Sequence, residues 1–95
     1  MITTRTKLTP DPNVITTSLS NQETILLHLN TQQYYTLNET GTQIWQGLAD
    51  AQSLETIGQG LEAKYDLTLD QARQHVIELV TGLATEQLVQ LVEKA

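Results

Sequence analysis

His28 and His75 are the only imidazoles in the chain, and there is no cysteine. Metal ligation needs several His, Cys or carboxylate donors at short spacings. Neither histidine has such company: one falls in a strand-like run and the other on the polar side of a helical run, so both are expected at the surface. The acids Asp66, Asp70, Glu78 and Glu86 are placed as solvated helix residues and first-turn charges rather than as a paired general acid and base. GQGLEAK contains a G-x-G, but inside a helical pattern with no strand before it, the wrong setting for a phosphate cradle. Asn38–Glu39–Thr40 matches a glycosylation sequon, yet Asn38 is better explained as a helix cap. The expectation is a protein with no catalytic set, no metal site and no cofactor.

A different chemistry, recognition, is suggested by QQYYTLNETG at residues 32–41. Adjacent residues of a strand point to opposite faces of its sheet. Tyr35 and Leu37 share one face by alternation, while Tyr34 and Thr36 share the other. With Tyr35 packed inward, Tyr34 is left over, and the last strand of a meander also has an unpaired backbone edge. Such an edge is either blunted or used to bind another strand.

The elements that must position this stretch follow from the pattern around it. Residues 1–13 are polar, contain both prolines and read as a flexible lead-in ending in a turn at PDPN. Residues 14–95 read as one domain. VITTSL, ETILLHLN and QYYTL are three short runs separated by turn residues, which predicts an antiparallel meander. In the second run Ile25, Leu27 and Leu29 lie on one face, with Leu26 and His28 on the other. From Asn38 the period becomes helical. Asn38 caps a helix carrying Ile44, Trp45 and Leu48; Ser53 caps one carrying Leu54, Ile57, Leu61 and Tyr65; Thr68 caps the longest, over about 69–86. Residues 87–93 finish the chain as more helix or as a short strand. The fold class is therefore α+β and winged-helix-like, with a three-stranded antiparallel sheet, three helices and room for a short C-terminal strand.

The long helix carries one apolar position more than a single core stripe requires. At about 100° per residue, Ala72, Val76, Leu79 and Leu83 form the stripe, with Leu69 and Val80 flanking it. Ile77 lies roughly 120° away, beside Arg73 and Ala84. Either Ile77 widens the stripe against the second helix, or Ile77, Arg73 and Ala84 line a groove beside the sheet.

Composition excludes several partners. The net charge is −6, and the five bases, Arg5, Lys7, Lys64, Arg73 and Lys94, are scattered, so no basic face exists for nucleic acid. No apolar run approaches the ~20 residues of a membrane span, and the N-terminus lacks the apolar h-region of a secretory signal. A cysteine-free chain of this kind is expected in the cytoplasm.

Residues 23–48, ETILLHLNTQQYYTLNETGTQIWQGL, resemble the front half of pyrroloquinoline quinone synthesis protein D (PqqD) and its relatives, the peptide-recognition elements of ribosomally made, post-translationally modified peptides. Tyr34, Tyr35, Leu37, Asn38, Gly41, Ile44, Trp45 and Leu48 carry the likeness, which extends over about residues 14–92. The aromatic pair and Ile-Trp look most like the leader-binding proteins of lasso-peptide pathways. One departure is Gln87, where relatives often carry glycine before the last apolar pair.

The resemblance implies escort rather than catalysis. A leader peptide would add as a strand to the third strand, at Gln33, Tyr34, Tyr35, Thr36 and Leu37, beside a wall of Asp70, Arg73, Gln74, Ile77 and Thr81. The precursor would then be presented to a processing enzyme, such as a leader peptidase or a radical-SAM enzyme. Arg73 is the helix's one basic residue and would select an acidic leader residue. Two other readings remain open: a winged-helix transcription regulator, and a structural module that forms a homodimer through its strand edge.

Overall fold

Residues 7–19 and 22–91 are described by the computed structural model. The elements are β1 (Leu8–Pro10), β2 (Val14–Ser18), β3 (Thr24–His28), β4 (Gln33–Leu37), α1 (Glu39–Ala49), α2 (Leu54–Tyr65), α3 (Leu69–Thr85) and β5 (Val89–Leu91). β2, β3 and β4 form the expected antiparallel meander, with β3 central. Its register aligns Thr16, Leu26 and Tyr35 in one row and Ile15, Leu27 and Tyr34 in the next. The architecture is the α+β, winged-helix-like arrangement read from the sequence.

β3 decides which face of the meander turns inward. Thr24, Leu26 and His28 are buried, while Ile25 and Leu27 are only half-buried. His28 is thus not the surface residue expected. It is 2% exposed, and its Nδ1 accepts the Asn30 N–H at 3.2 Å. Burial is tolerable because the imidazole is satisfied locally by the turn that follows. Thr24 is satisfied across elements: its Oγ1 and that of Thr42 on α1 are 2.9 Å apart.

All three helices begin where their caps predict. Asn38 accepts the Gly41 N–H, Ser53 accepts the Thr56 N–H, and Thr68 forms a capping box with Gln71. Each cap satisfies donors that the first turn leaves without partners. Gly47 allows α1 and α2 to approach closely, since a Cβ there would lie 2.6 Å from Cγ1 of Ile57. Ile44, Trp45, Leu48, Leu54, Ile57, Leu61, Ala72, Val76, Val80 and Leu83 all enter the core.

The lead-in requires correction. Leu8–Pro10 is a strand that pairs antiparallel with β5, and the Asp11 N–H donates to the Leu88 carbonyl at 2.9 Å. Leu8 is 3% exposed and belongs to the core. The prolines made this segment read as a turn, and the partner strand that overrides them lies about eighty residues away. Residues 1–6 lie outside the described residues.

The C-terminal ambiguity resolves as a strand, and Gln87 explains how. It takes φ 60°, the left-handed geometry that glycine adopts without strain. The Leu88 N–H donates to the Leu83 carbonyl and the Gln87 N–H to that of Ala84, closing α3 with a Schellman motif. Gln87→Gly is therefore expected to stabilise the fold by about 0.5–1 kcal/mol, read from the urea midpoint.

α2 and α3 are tied by Arg73, whose Nη2 lies 2.6 Å from Oε2 of Glu55 while Nε donates to the same carboxylate. The hydrogen bond from Arg73 holds the Glu55 pKa below its ordinary value of 4.5, against an opposing desolvation effect. A carboxylate with a lowered folded pKa contributes stability that is present above its unfolded pKa and lost as pH falls through the folded value. Acid titration should therefore weaken the wild type below pH 4.5 by an increment that Glu55→Gln lacks. Urea midpoints of the two proteins across pH 3 to 6, on the order of the carboxylate range, check this.

Candidate functional site

β4 pairs with β3 on one side, and its other edge has no strand partner among the described residues. α3 shares depressions with β4, its C-terminal end by Gln33 and its middle by Tyr35 and Asn38, so the two elements run in opposite directions. Glu86, at its C-terminal end, shares a depression of about 110 Å³ with Gln33, Tyr34, Tyr35 and Leu88. Midway, a Cβ on Gly82 would sit 3.5 Å from the Tyr35 hydroxyl, in ordinary van der Waals contact, so α3 passes close to the Tyr35 ring there. At the far end a larger cavity of about 440 Å³ opens between Tyr35, the start of α1 and the α3 residues His75, Glu78 and Leu79. Tyr65 and Leu67 close it from the α2 side.

The chemistry of this trough is that of a binding surface. An edge strand presents N–H and C=O groups in need of partners, and Leu79, Ile44 and the Tyr35 ring give an apolar floor. The Tyr65 hydroxyl donates to Oε2 of Glu39 at 2.9 Å. Desolvation first, and that bond second, raise the Tyr65 pKa above 10.0, so the phenol stays a neutral donor. No buried side-chain polar atom lacks a partner, and no cluster of three or more His, Cys, Asp or Glu could hold a metal ion among the described residues. No helix among them is long and apolar enough to cross a membrane.

The strand half of the expected site comes together, with its side chains divided between two faces. Tyr35 is half-buried against the core and Leu37 is fully buried. Tyr34 is 72% exposed and stands in a row with Leu27 and Ile15 on the outer face, while also bordering the small depression with Gln33. Thr36 is exposed on that outer face.

The helical half divides. Arg73 is engaged by Glu55 of α2, with Asp70 Oδ1 3.7 Å from its Nη1. Ile77 and Thr81 follow Arg73 at intervals of four on that side of the helix. Gln74 reaches only the rim, in a shallow depression with Gln71, His75 and Glu78. The residues facing β4 are instead His75, Glu78, Leu79 and Gly82, on the opposite flank of the stripe. Val80, expected as a flank, is fully buried, and Leu79, expected in the stripe, is half-buried over the cavity. The Glu55–Arg73 pair ties the other flank of α3 to α2, and the sequence signal was limited to Ile77 lying on the Arg73 side of the stripe, away from Leu79.

Residues 23–89 match the family described as coenzyme PQQ synthesis protein D (PqqD). The chain belongs to the PqqD family. The curated proteins searched contain no match. Among solved structures, TbiB1 in complex with the TbiA(beta) leader peptide superposes with a TM-score of 0.81 at 25% identity, covering 92% of this chain and 98% of that one. A lasso peptide synthetase B1 complexed with its leader peptide gives a TM-score of 0.81 at 24% identity, covering 88% and 98%. Both neighbours are covered over almost their whole length, so the fold is shared throughout.

Proposed function

We propose that this PqqD-family protein is a non-catalytic recognition element that binds the leader segment of a ribosomally made precursor peptide. The leader adds as a strand to β4 beside α3, and the precursor is presented to a processing enzyme, a leader peptidase or a radical-SAM enzyme, in the cytoplasm. The observation that carries this reading is the β4 edge, without a strand partner among the described residues, opening onto an apolar-floored cavity of about 440 Å³. The leader peptides held by the two similar structures support it. Strand addition over five residues offers a few hydrogen bonds worth about 0.5–1.5 kcal/mol each, and one or two buried apolar anchors add about 1.5–3 kcal/mol each. After the cost of ordering the peptide, the affinity should be near −8 to −10 kcal/mol, roughly micromolar or tighter.

An amide NMR titration with synthetic leader peptides of lasso-peptide precursors tests the proposal. Shifts are expected at Gln33–Leu37 and along Glu78–Glu86. Shifts confined to α2 would refute it. A homodimer through β4 would compete for the same edge, and sedimentation of the peptide-free protein separates the two. The transcription-regulator reading has no observation in its favour: the one basic residue of α3 is already paired with Glu55.

A further inference from the structure

We infer that the β4–α3 trough selects a cationic peptide segment, with two Lys or Arg side chains four residues apart seated against Glu78 and Glu86. The inference rests on the strand-addition reading and names the class of peptide it takes. Glu86 borders both depressions at the Gln33 end, the second of them shared with Thr31, Thr85 and Gln87. Glu78 borders the large cavity at the other end. Among the described residues no Lys or Arg lines any of these cavities.

The described bases are otherwise occupied or remote. Arg73 is held by Glu55 on the far flank of α3, Lys64 lies 5.6 Å from the centre of the Tyr65 ring, and Lys7 precedes β1. Glu78 has one amide contact, from Gln74 at 3.1 Å, and Glu86 has no side-chain partner among the described residues. His75 lines the large cavity together with Glu78, and the two also share the neighbouring depression with Gln71 and Gln74. The N-terminus of α1 also opens into the large cavity, where Glu39 in its first turn already answers the helix dipole.

Geometry sets the spacing. Eight residues of helix separate Glu78 from Glu86, about 12 Å at 1.5 Å per residue. An extended peptide covers that distance in about four residues at ~3.3 Å each. Four is an even number, so both basic side chains point toward α3, as does the residue midway between them, which meets Gly82 and the Tyr35 ring. The pattern is basic–x–apolar–x–basic. It reads the same in either direction and replaces the acidic leader residue anticipated from Arg73.

Random twelve-residue peptides displayed against the wild type and against a Glu78→Gln/Glu86→Gln variant provide the test. Wild-type selection should enrich Lys or Arg pairs at a spacing of four. Each single Glu→Gln change should weaken the best peptide about two- to fivefold, the range of an exposed ion pair. Binding should also weaken as salt rises, because the Debye length shrinks from ~10 Å at 0.1 M to ~3 Å at 1 M. Peptides that shift the β4 amide signals but lack the basic pair, or bind the double variant equally well, would overturn the charge assignment alone. If no selected peptide shifts β4 signals, both this inference and strand addition fall.

Discussion

Leu79→Gln is expected to weaken leader binding by roughly 10- to 100-fold while leaving the protein folded. The side chain is half-buried, packs partly on the core and lines the large cavity beside Tyr35. A leader anchor seated there would bury apolar surface against it worth about 1.5–3 kcal/mol, and tenfold in affinity corresponds to about 1.4 kcal/mol. An amide of similar volume keeps the shape and removes most of that term. Arg73→Ala is the matched control and should leave affinity within about twofold, because a surface ion pair on the far flank of α3 contributes little. Calorimetric titration of both variants with the same peptide decides the matter. A large loss in Arg73→Ala and none in Leu79→Gln would mean that the peptide lies on the opposite side of α3.

The largest stability effect should come from Trp45→Ala, about 3–5 kcal/mol of destabilisation. Trp45 is 3% exposed, and its Nε1–H donates to Oγ1 of Thr16 at 3.1 Å, joining α1 to β2. Truncation leaves a void the size of an indole between helix and sheet and also leaves the Thr16 hydroxyl without that donor. For a domain of this size, each kcal/mol shifts the melting temperature by roughly 4–8 °C, so a loss on the order of 15–30 °C is expected by far-UV circular dichroism. Trp45→Phe keeps the ring and loses the hydrogen bond, so it should cost much less, about 1–2 kcal/mol. Equal losses in the two variants would show that the hydrogen bond, and not the filled volume, carries the contribution.

Both residues were visible in the sequence, but only one could be placed correctly there. Trp45 lies in phase with Ile44 and Leu48 behind the Asn38 cap, a pattern confined to eleven residues. Leu79 lies in the apolar stripe and Ile77 well outside it on the other side, and nothing within α3 distinguishes the flank that meets α2 from the flank that meets β4. The Glu55–Arg73 pair and the full burial of Val80 break that symmetry. His28 posed the same problem in β3, where Leu26 and His28 compete with Ile25 and Leu27 for the core and both patterns alternate equally well.

The sequence by itself determined the order of the three meander strands and three helices, the three helix starts, the placing of Tyr34 and Tyr35 on opposite faces, and the acidic balance of the chain. These depend on hydrogen bonds and periodicities within a few residues, which any short window contains. Only the tertiary structure decided that Leu8–Pro10 is a strand, that His28 turns inward, and that Glu78, Leu79, Gly82 and Glu86 rather than Arg73 and Ile77 border the β4 edge. Each of those choices depends on a partner element distant in the chain, and a segment that would be satisfied by either of two neighbours does not itself record which one it meets.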